Sequence, residues 1–196
     1  STILVTNSGG RLDDATPPIQ LLGTHASNVL NLNRGDVAIA FYPGEVSTFS
    51  TIRQAFIDNA ASDATLYVGD DVTLTNIIKS GGTATLKSST TLIDQTAGTL
   101  IIEEGAHAEI NVFAGLVYYN SIGTLALIDI SGATTLSFDQ DRRPKDVTLI
   151  KVNGSEPEVY DQSNVIVSPD IDLERGATNQ QLFFGSTINI TVGSIS

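Results

Sequence analysis

Between Leu66 and Gly154 the chain repeats a short pattern of apolar residues closed by glycine. Five segments share it: LYVGDDVTLTNIIKSGG, TATLKSSTTLIDQTAG, TLIIEEGAHAEINVFAG, LVYYNSIGTLALIDISG and ATTLSFDQDRRPKDVTLIKVNG. Their closing glycines are Gly82, Gly98, Gly115, Gly132 and Gly154, at steps of 16, 17, 17 and 22 residues. The last step returns to 17 when five residues, Asp141 to Lys145, are read as an inserted loop. Counting back from each glycine aligns Ile77, Ile93, Ile110, Leu127 and Leu149, and counting forward aligns Leu86, Ile102, Tyr119 and Leu136. Within segments, Val72-Thr73-Leu74 and Leu125-Ala126-Leu127 alternate with the period of a strand that buries one face.

A unit of this length has room for two or three short strands and their turns. One coil cannot bury its own apolar face, but stacked coils bury a continuous column. The pattern therefore predicts a short parallel β-solenoid of about five coils spaced ~4.8 Å apart. Glycine at each coil end supplies the positive φ of a sharp corner. An antiparallel sandwich with evenly spaced strands is the alternative.

Three parts follow: an N-terminal arm or anchoring segment over 1–49, a capping helix plus β-helix over 50–154, and a C-terminal β cap or subunit-pairing segment over 155–196. The helix is expected from Ser50 to Ala60, with Ser50 or Thr51 as cap and Ile52, Ala55, Phe56 and Asn59 on one face. Placed there, it would close the base of the column. The arm carries Gly9-Gly10, Pro17-Pro18 and Pro43-Gly44 between short apolar runs. At the far end Gln181 to Phe184 and Thr187 to Val192 alternate as strands.

The run TIRQAFIDNAASDATLYVGDDVTL resembles the helix-then-first-coil entry of right-handed parallel β-helix proteins of the pectate-lyase type. The resemblance implies a right-handed β-helix. It implies little about function, since that superfamily holds polysaccharide lyases and hydrolases, phage tailspikes and non-enzymatic virion proteins.

Charge narrows the partners. A net charge of −12 opposes nucleic acid and anionic membrane surfaces, both of which are held by lysine and arginine. It leaves solubility, or attraction to a basic surface, as its reading. The chain has no cysteine, so disulfide and thiolate chemistry are absent. The start, Ser1 to Val5, lacks the pattern of an export signal and fits cytoplasmic synthesis.

Catalytic groups are hard to find. His25 and His107 lie in different regions and read as structural or exposed, without the clustered ligands zinc needs. The pairs Asp70-Asp71, Glu103-Glu104 and Asp139 with Asp141 are the candidate acids for glycoside chemistry. The first two pairs fall on turns, where adjacent carboxylates point to water, and stacked turn carboxylates are also the one arrangement that suggests calcium. Tyr118 and Tyr119 are adjacent, so only one faces out, and Tyr67 and Phe113 look too scattered to complete an aromatic strip. Thr83, Thr85, Thr90 and Thr91 read as not recurring in register through the other coils. The insertion Asp139-Gln140-Asp141-Arg142-Arg143-Pro144-Lys145 holds three of the ten basic residues, and Arg142, Arg143 and Lys145 are the expected contacts for an acidic partner.

Together these features predict a protein without catalytic, cofactor or metal sites. It resembles phage capsid decoration (cement) proteins or tail appendages: a homotrimer held to another virion protein through its N-terminal arm. The competing readings are a carbohydrate-binding or carbohydrate-cleaving β-helix and a bacterial adhesin module.

Overall fold

The computed structural model describes residues 1–5, 19–59, 61–166, 170–173, 180–185 and 189–192, the last four as backbone only. Strands come in pairs, one pair per coil. They run β1 (Thr2–Val5) with β2 (Gln20–Leu21), β3 (Val29–Leu32) with β4 (Gly35–Ile39), β5 (Ser47–Gln54) with β6 (Ala64–Val68), and β7 (Val72–Lys79) with β8 (Thr83–Leu86). Next come β9 (Thr90–Gln95) with β10 (Thr99–Ile102), β11 (His107–Val112) with β12 (Gly115–Tyr119), and β13 (Leu125–Ile130) with β14 (Thr134–Ser137). The last are β15 (Val147–Val152) with β16 (Glu158–Asp161), β17 (Asp170–Leu173) with β18 (Gln181–Phe184), and β19 (Asn189–Val192).

Odd-numbered strands form a ten-stranded sheet and even-numbered strands a nine-stranded sheet, each in simple succession. The named strand pairings are all parallel, which rules out the antiparallel sandwich. The fold is an all-β parallel β-solenoid with the core between its two sheets. Among the described residues there is no helix, and the stack runs beyond the five expected coils at both ends.

The core consists of columns. In the ten-stranded sheet Leu30, Ile52, Ile77, Ile93, Ile110, Ile128 and Ile150 lie in register and are fully buried. Opposite them run Val37, Leu66, Ala84, Leu100, Val117, Leu136 and Val159. The glycine count slips by one residue in the upper coils, where Leu127 and Leu149 are half-buried and Ile128 and Ile150 point inward. Gly115 is the third residue after the end of β11, whereas Gly132 and Gly154 are the second after β13 and β15. On the other sheet the forward count slips by two: Leu136 pairs with Val117, and the column of Leu86, Ile102 and Tyr119 continues into Phe138.

Where the sequence predicts a capping helix, Ser50 to Gln54 instead belong to strand β5, and Ala55 to Asn59 form the corner that follows it. Thr48, Thr51 and Ile52 are β-branched and favour extended structure. More decisively, β5 lies between β3 and β7, and both need its backbone groups. No helical face forms, because Ile52 and Ala55 are buried while Phe56 is 46% exposed and Asn59 is exposed. Ala60 lies outside the described residues, as do Gly9-Gly10, Pro17-Pro18, Thr187 and Ile188. Residues 1–49 contribute β1 to β4 and the start of β5 to the two sheets, and the C-terminal strands β18 and β19 continue the same stack. The Asp139 to Lys145 insertion is a loop between β14 and β15.

Candidate functional site

The interior holds a polar run that the sequence does not announce. Gln54, Lys79 and Gln95 occupy successive levels of one column and have no exposed surface. Each lies beside a corner where positive-φ glycine turns peptide carbonyls inward, as at Gly82 and Gly98. Lys79 Nζ donates to the carbonyls of Gly81 and Gly82 at 2.5 Å and of Ala97 at 3.3 Å. Gln54 Nε2 donates to Ala64 and Thr83, and Gln95 Nε2 to Gly98, Ala114 and Leu116. Gly98 has φ +87°, and a Cβ there would lie 2.3 Å from the Gly82 carbonyl oxygen, so that corner admits glycine only. Burial pulls the Lys79 ammonium down to about 7.

A second polar column carries His107, whose Nδ1 is 2.7 Å from Thr90 Oγ1 and whose Nε2 is 3.3 Å from the Glu104 carbonyl. A carbonyl only accepts, so Nε2 carries the proton and Nδ1 accepts from the Thr90 hydroxyl. Burial lowers His107 to about 4 and so keeps the ring neutral. Its edge meets Tyr119, with centroids 6.2 Å apart; Tyr119 donates to the Gly123 carbonyl, and burial raises its pKa. His25 is exposed and accepts from the Ser27 amide.

The inserted loop divides its cations. Arg143 pairs with Asp141 through Nε and a terminal nitrogen and also donates to the Asn120 carbonyl. That guanidinium holds Asp141 at about 2. Lys145 is fully buried, with Nζ 3.2 Å from the Arg143 carbonyl, 3.4 Å from the Asn120 carbonyl and 3.8 Å from Asp141 Oδ2. Arg142 is exposed and has no ion-pair partner among the described residues. Of the three expected contacts, only Arg142 and Arg143 reach the surface.

The candidate acids stay apart. Asp70 and Asp71 are exposed, and Asp71 accepts from the Gly44 amide. Glu103 and Glu104 follow β10, with β8 and the Lys87-Ser88 turn between the two pairs. Asp139 accepts from the Ser163 amide. Among the described residues no three His, Cys, Asp or Glu side chains cluster as metal ligands.

Two outward surfaces stand out. Among the described residues, exposed large apolar side chains are more frequent at the N-terminal end: Leu4, Leu22, Tyr42, Val46, Phe56 and Ile57 lie in the first coils, against Ile78, Phe113 and Ile122 further along. On the nine-stranded sheet, the outer side carries two ranks. One is Thr65, Thr83, Thr99, Leu116, Thr135, Glu158 and Gln181. The other is Tyr67, Thr85, Ile101, Tyr118, Ser137, Tyr160 and Phe183. Thr83 therefore does recur in register, with Thr65, Thr99 and Thr135. Tyr67 and Tyr118 also share one row, although 51 positions separate them in sequence. The signal for this was alternation within each strand, since Tyr118 faces out as Tyr119 faces in.

No family model, curated protein or solved structure matches this chain.

Proposed function

We propose that the protein is a non-enzymatic structural subunit of a larger particle, docking through its N-terminal coils and self-associating as a homotrimer. The observation that carries this reading is that five exposed large apolar residues fall in the first coils, Leu22, Tyr42 and Val46 on the corners after β2 and β4 and Phe56 and Ile57 on the corner after β5. Monomeric surfaces scatter single apolar residues, and gathered ones mark contacts. The titratable groups with the largest displacements, Lys79, His107 and Tyr119, are turned into the core toward backbone partners, where they stabilise corners. Arg142 and Arg143 offer a second contact for an acidic neighbour. A virion setting, as capsid decoration (cement) protein or tail appendage, rests on the resemblance of a short Thr-rich β-helix with unrepeated ends to such proteins.

The test pairs light scattering with co-sedimentation on the particle from which the protein is purified. Val46→Ser with Phe56→Ser is expected to abolish co-sedimentation while leaving the thermal midpoint in place. A strict monomer that never associates with a particle defeats the proposal. Polysaccharide cleavage lost on Glu103→Gln or Asp139→Asn would replace it with the enzymatic reading.

A further inference from the structure

The last strands of a solenoid present unpaired backbone, which soluble proteins guard with charged residues, proline or a polar cap. Among the described residues, β1 and β2 are outermost at one end of the stack, and β18 and β19 at the other. Their sequences, TILV, QL, QLFF and NITV, contain no charged residue and no proline. The core columns also end half-covered there. Ile3, Ile19 and Leu21 at the first end, and Leu182 and Phe184 at the last, pack on the core yet stay partly exposed. Their register partners one level inward, among them Leu30, Ile39 and Val159, have no exposed surface.

The backbone of the two ends is matched as well. The Val29 and Asn33 amides donate to the Ser1 and Val5 carbonyls, so alternate residues of β1 face β3. Thr2 and Leu4 therefore aim their amide and carbonyl groups out of the stack. At the other end the Gln181 and Gly185 amides donate to the Pro157 and Asp161 carbonyls, which turns the groups of Leu182 and Phe184 outward.

Ten strands on one sheet and nine on the other make nine and a half coils among the described residues. A second copy rotated by half a turn about the axis then continues the helix, with its β1 on β18 and its β2 on β19. Without the rotation β1 would meet β19 and leave a level of the nine-stranded sheet empty. Opposing Leu182 with Ile3, and Phe184 with Val5, sets apolar on apolar. The same register lets Leu182 exchange backbone hydrogen bonds with Thr2 and Leu4 of the next copy. An extended peptide would pair with one sheet edge only, whereas a copy of this chain covers both at once. We propose that the protein stacks end to end with copies of itself. Each contact joins unlike ends, so it propagates into an open rod that rises ~46 Å per copy. The inference concerns strand edges, not the corner side chains of the docking reading, and does not rest on that reading.

Sedimentation velocity of the full chain over a concentration series, with electron microscopy of the products, tests it. Species that grow with protein concentration are expected, and rods with that rise. Added salt should favour them, because it screens the repulsion between copies of net charge −12. Leu4→Pro removes an outward amide and no inward one, which an edge strand tolerates. Leu4→Lys keeps the backbone and puts a charge on the exposed edge. Phe113→Lys adds the same charge on an exposed corner between β11 and β12 and is the control. Either Leu4 variant should raise the concentration for half-association roughly tenfold without moving the thermal midpoint, and Phe113→Lys should change neither. Leu4→Pro chains keep their β18 edge, so mixing them with the native chain should shorten the rods. The inference is overturned by the absence of concentration-dependent growth, by growth that stops at two copies, or by association that salt weakens. A trimer indifferent to both Leu4 variants would leave the proposed homotrimer standing and overturn the end-to-end contact.

Discussion

Each glycine corner directs peptide carbonyls into a space that water does not reach, and every such oxygen needs a donor. The chain supplies donors from the neighbouring strand end, as Gln54, Lys79 and Gln95 at successive levels. Replacing Lys79 with methionine removes the donor to the Gly81 and Ala97 carbonyls, while the Gly82 carbonyl keeps the Thr99 amide, and the expected loss is about 2–3 kcal/mol. Glutamine does the same work one level above and below, so Lys79→Gln should cost under about 1 kcal/mol. Urea unfolding of the two variants decides the matter, and equal midpoints would dispose of the carbonyl-clamp account. His107 makes a separate, pH-dependent statement. Its folded pKa of about 4 lies below the ordinary value of 6.5. Above pH 6.5 both folded and unfolded states hold it neutral, so stability is at its full value. As pH falls from 6.5 toward 4 the unfolded chain takes up the proton first. Stability should then decline by at most about 1.4 kcal/mol per pH unit. His107→Gln is expected to flatten that decline, and an unchanged acid profile would show that another group causes it.

At the scale of strands, the repeat was legible because isoleucine and glycine recur in nearly every coil, and their spacing alone predicts parallel stacking. Register was less legible. A glycine corner can take one residue more or fewer without moving the strand, so counting from Gly132 or Gly154 selects Leu127 and Leu149 in place of Ile128 and Ile150. On the other sheet the count drifts by two, since Ser137 is the fifth residue after Gly132 while its partner Tyr118 is the third after Gly115, and a drift of two keeps inside and outside. The stretch from Ser50 to Asn59 misled for another reason: Ile52, Ala55, Phe56 and Asn59 satisfy a helical spacing. Only the demand of β3 and β7 for hydrogen bonds, a long-range condition, makes its first half, to Gln54, a strand. Thr51→Pro separates the two readings. Proline is tolerated in the first turn of a helix but removes a ladder hydrogen bond in a central strand. A loss of about 3 kcal/mol or more in the unfolding free energy is expected, and a near-neutral substitution would contradict the placement of β5.

Over the whole molecule, contacts are almost all between adjacent coils, so stability is carried by neighbour-to-neighbour stacking more than by one central nucleus. Coils in the middle, from β7 to β15, are covered above and below, and their isoleucine column is unbroken. The terminal coils have a neighbour on one side only, and β2 is two residues long. Opening should therefore begin at the ends, with free energies that rise toward the centre. Amide hydrogen exchange followed by mass spectrometry is expected to show β1, β2 and β18 exchanging first and β9, β11 and β13 last. Exchange of β2 as slow as that of β11 would mean that the rod opens as one cooperative unit. The same measurement bears on docking. If the N-terminal coils anchor the protein, binding to the particle should slow exchange in β2 through β5, and with it the opening of that end. Strands β11 to β16, several coils away from that contact, would keep their free-state rates.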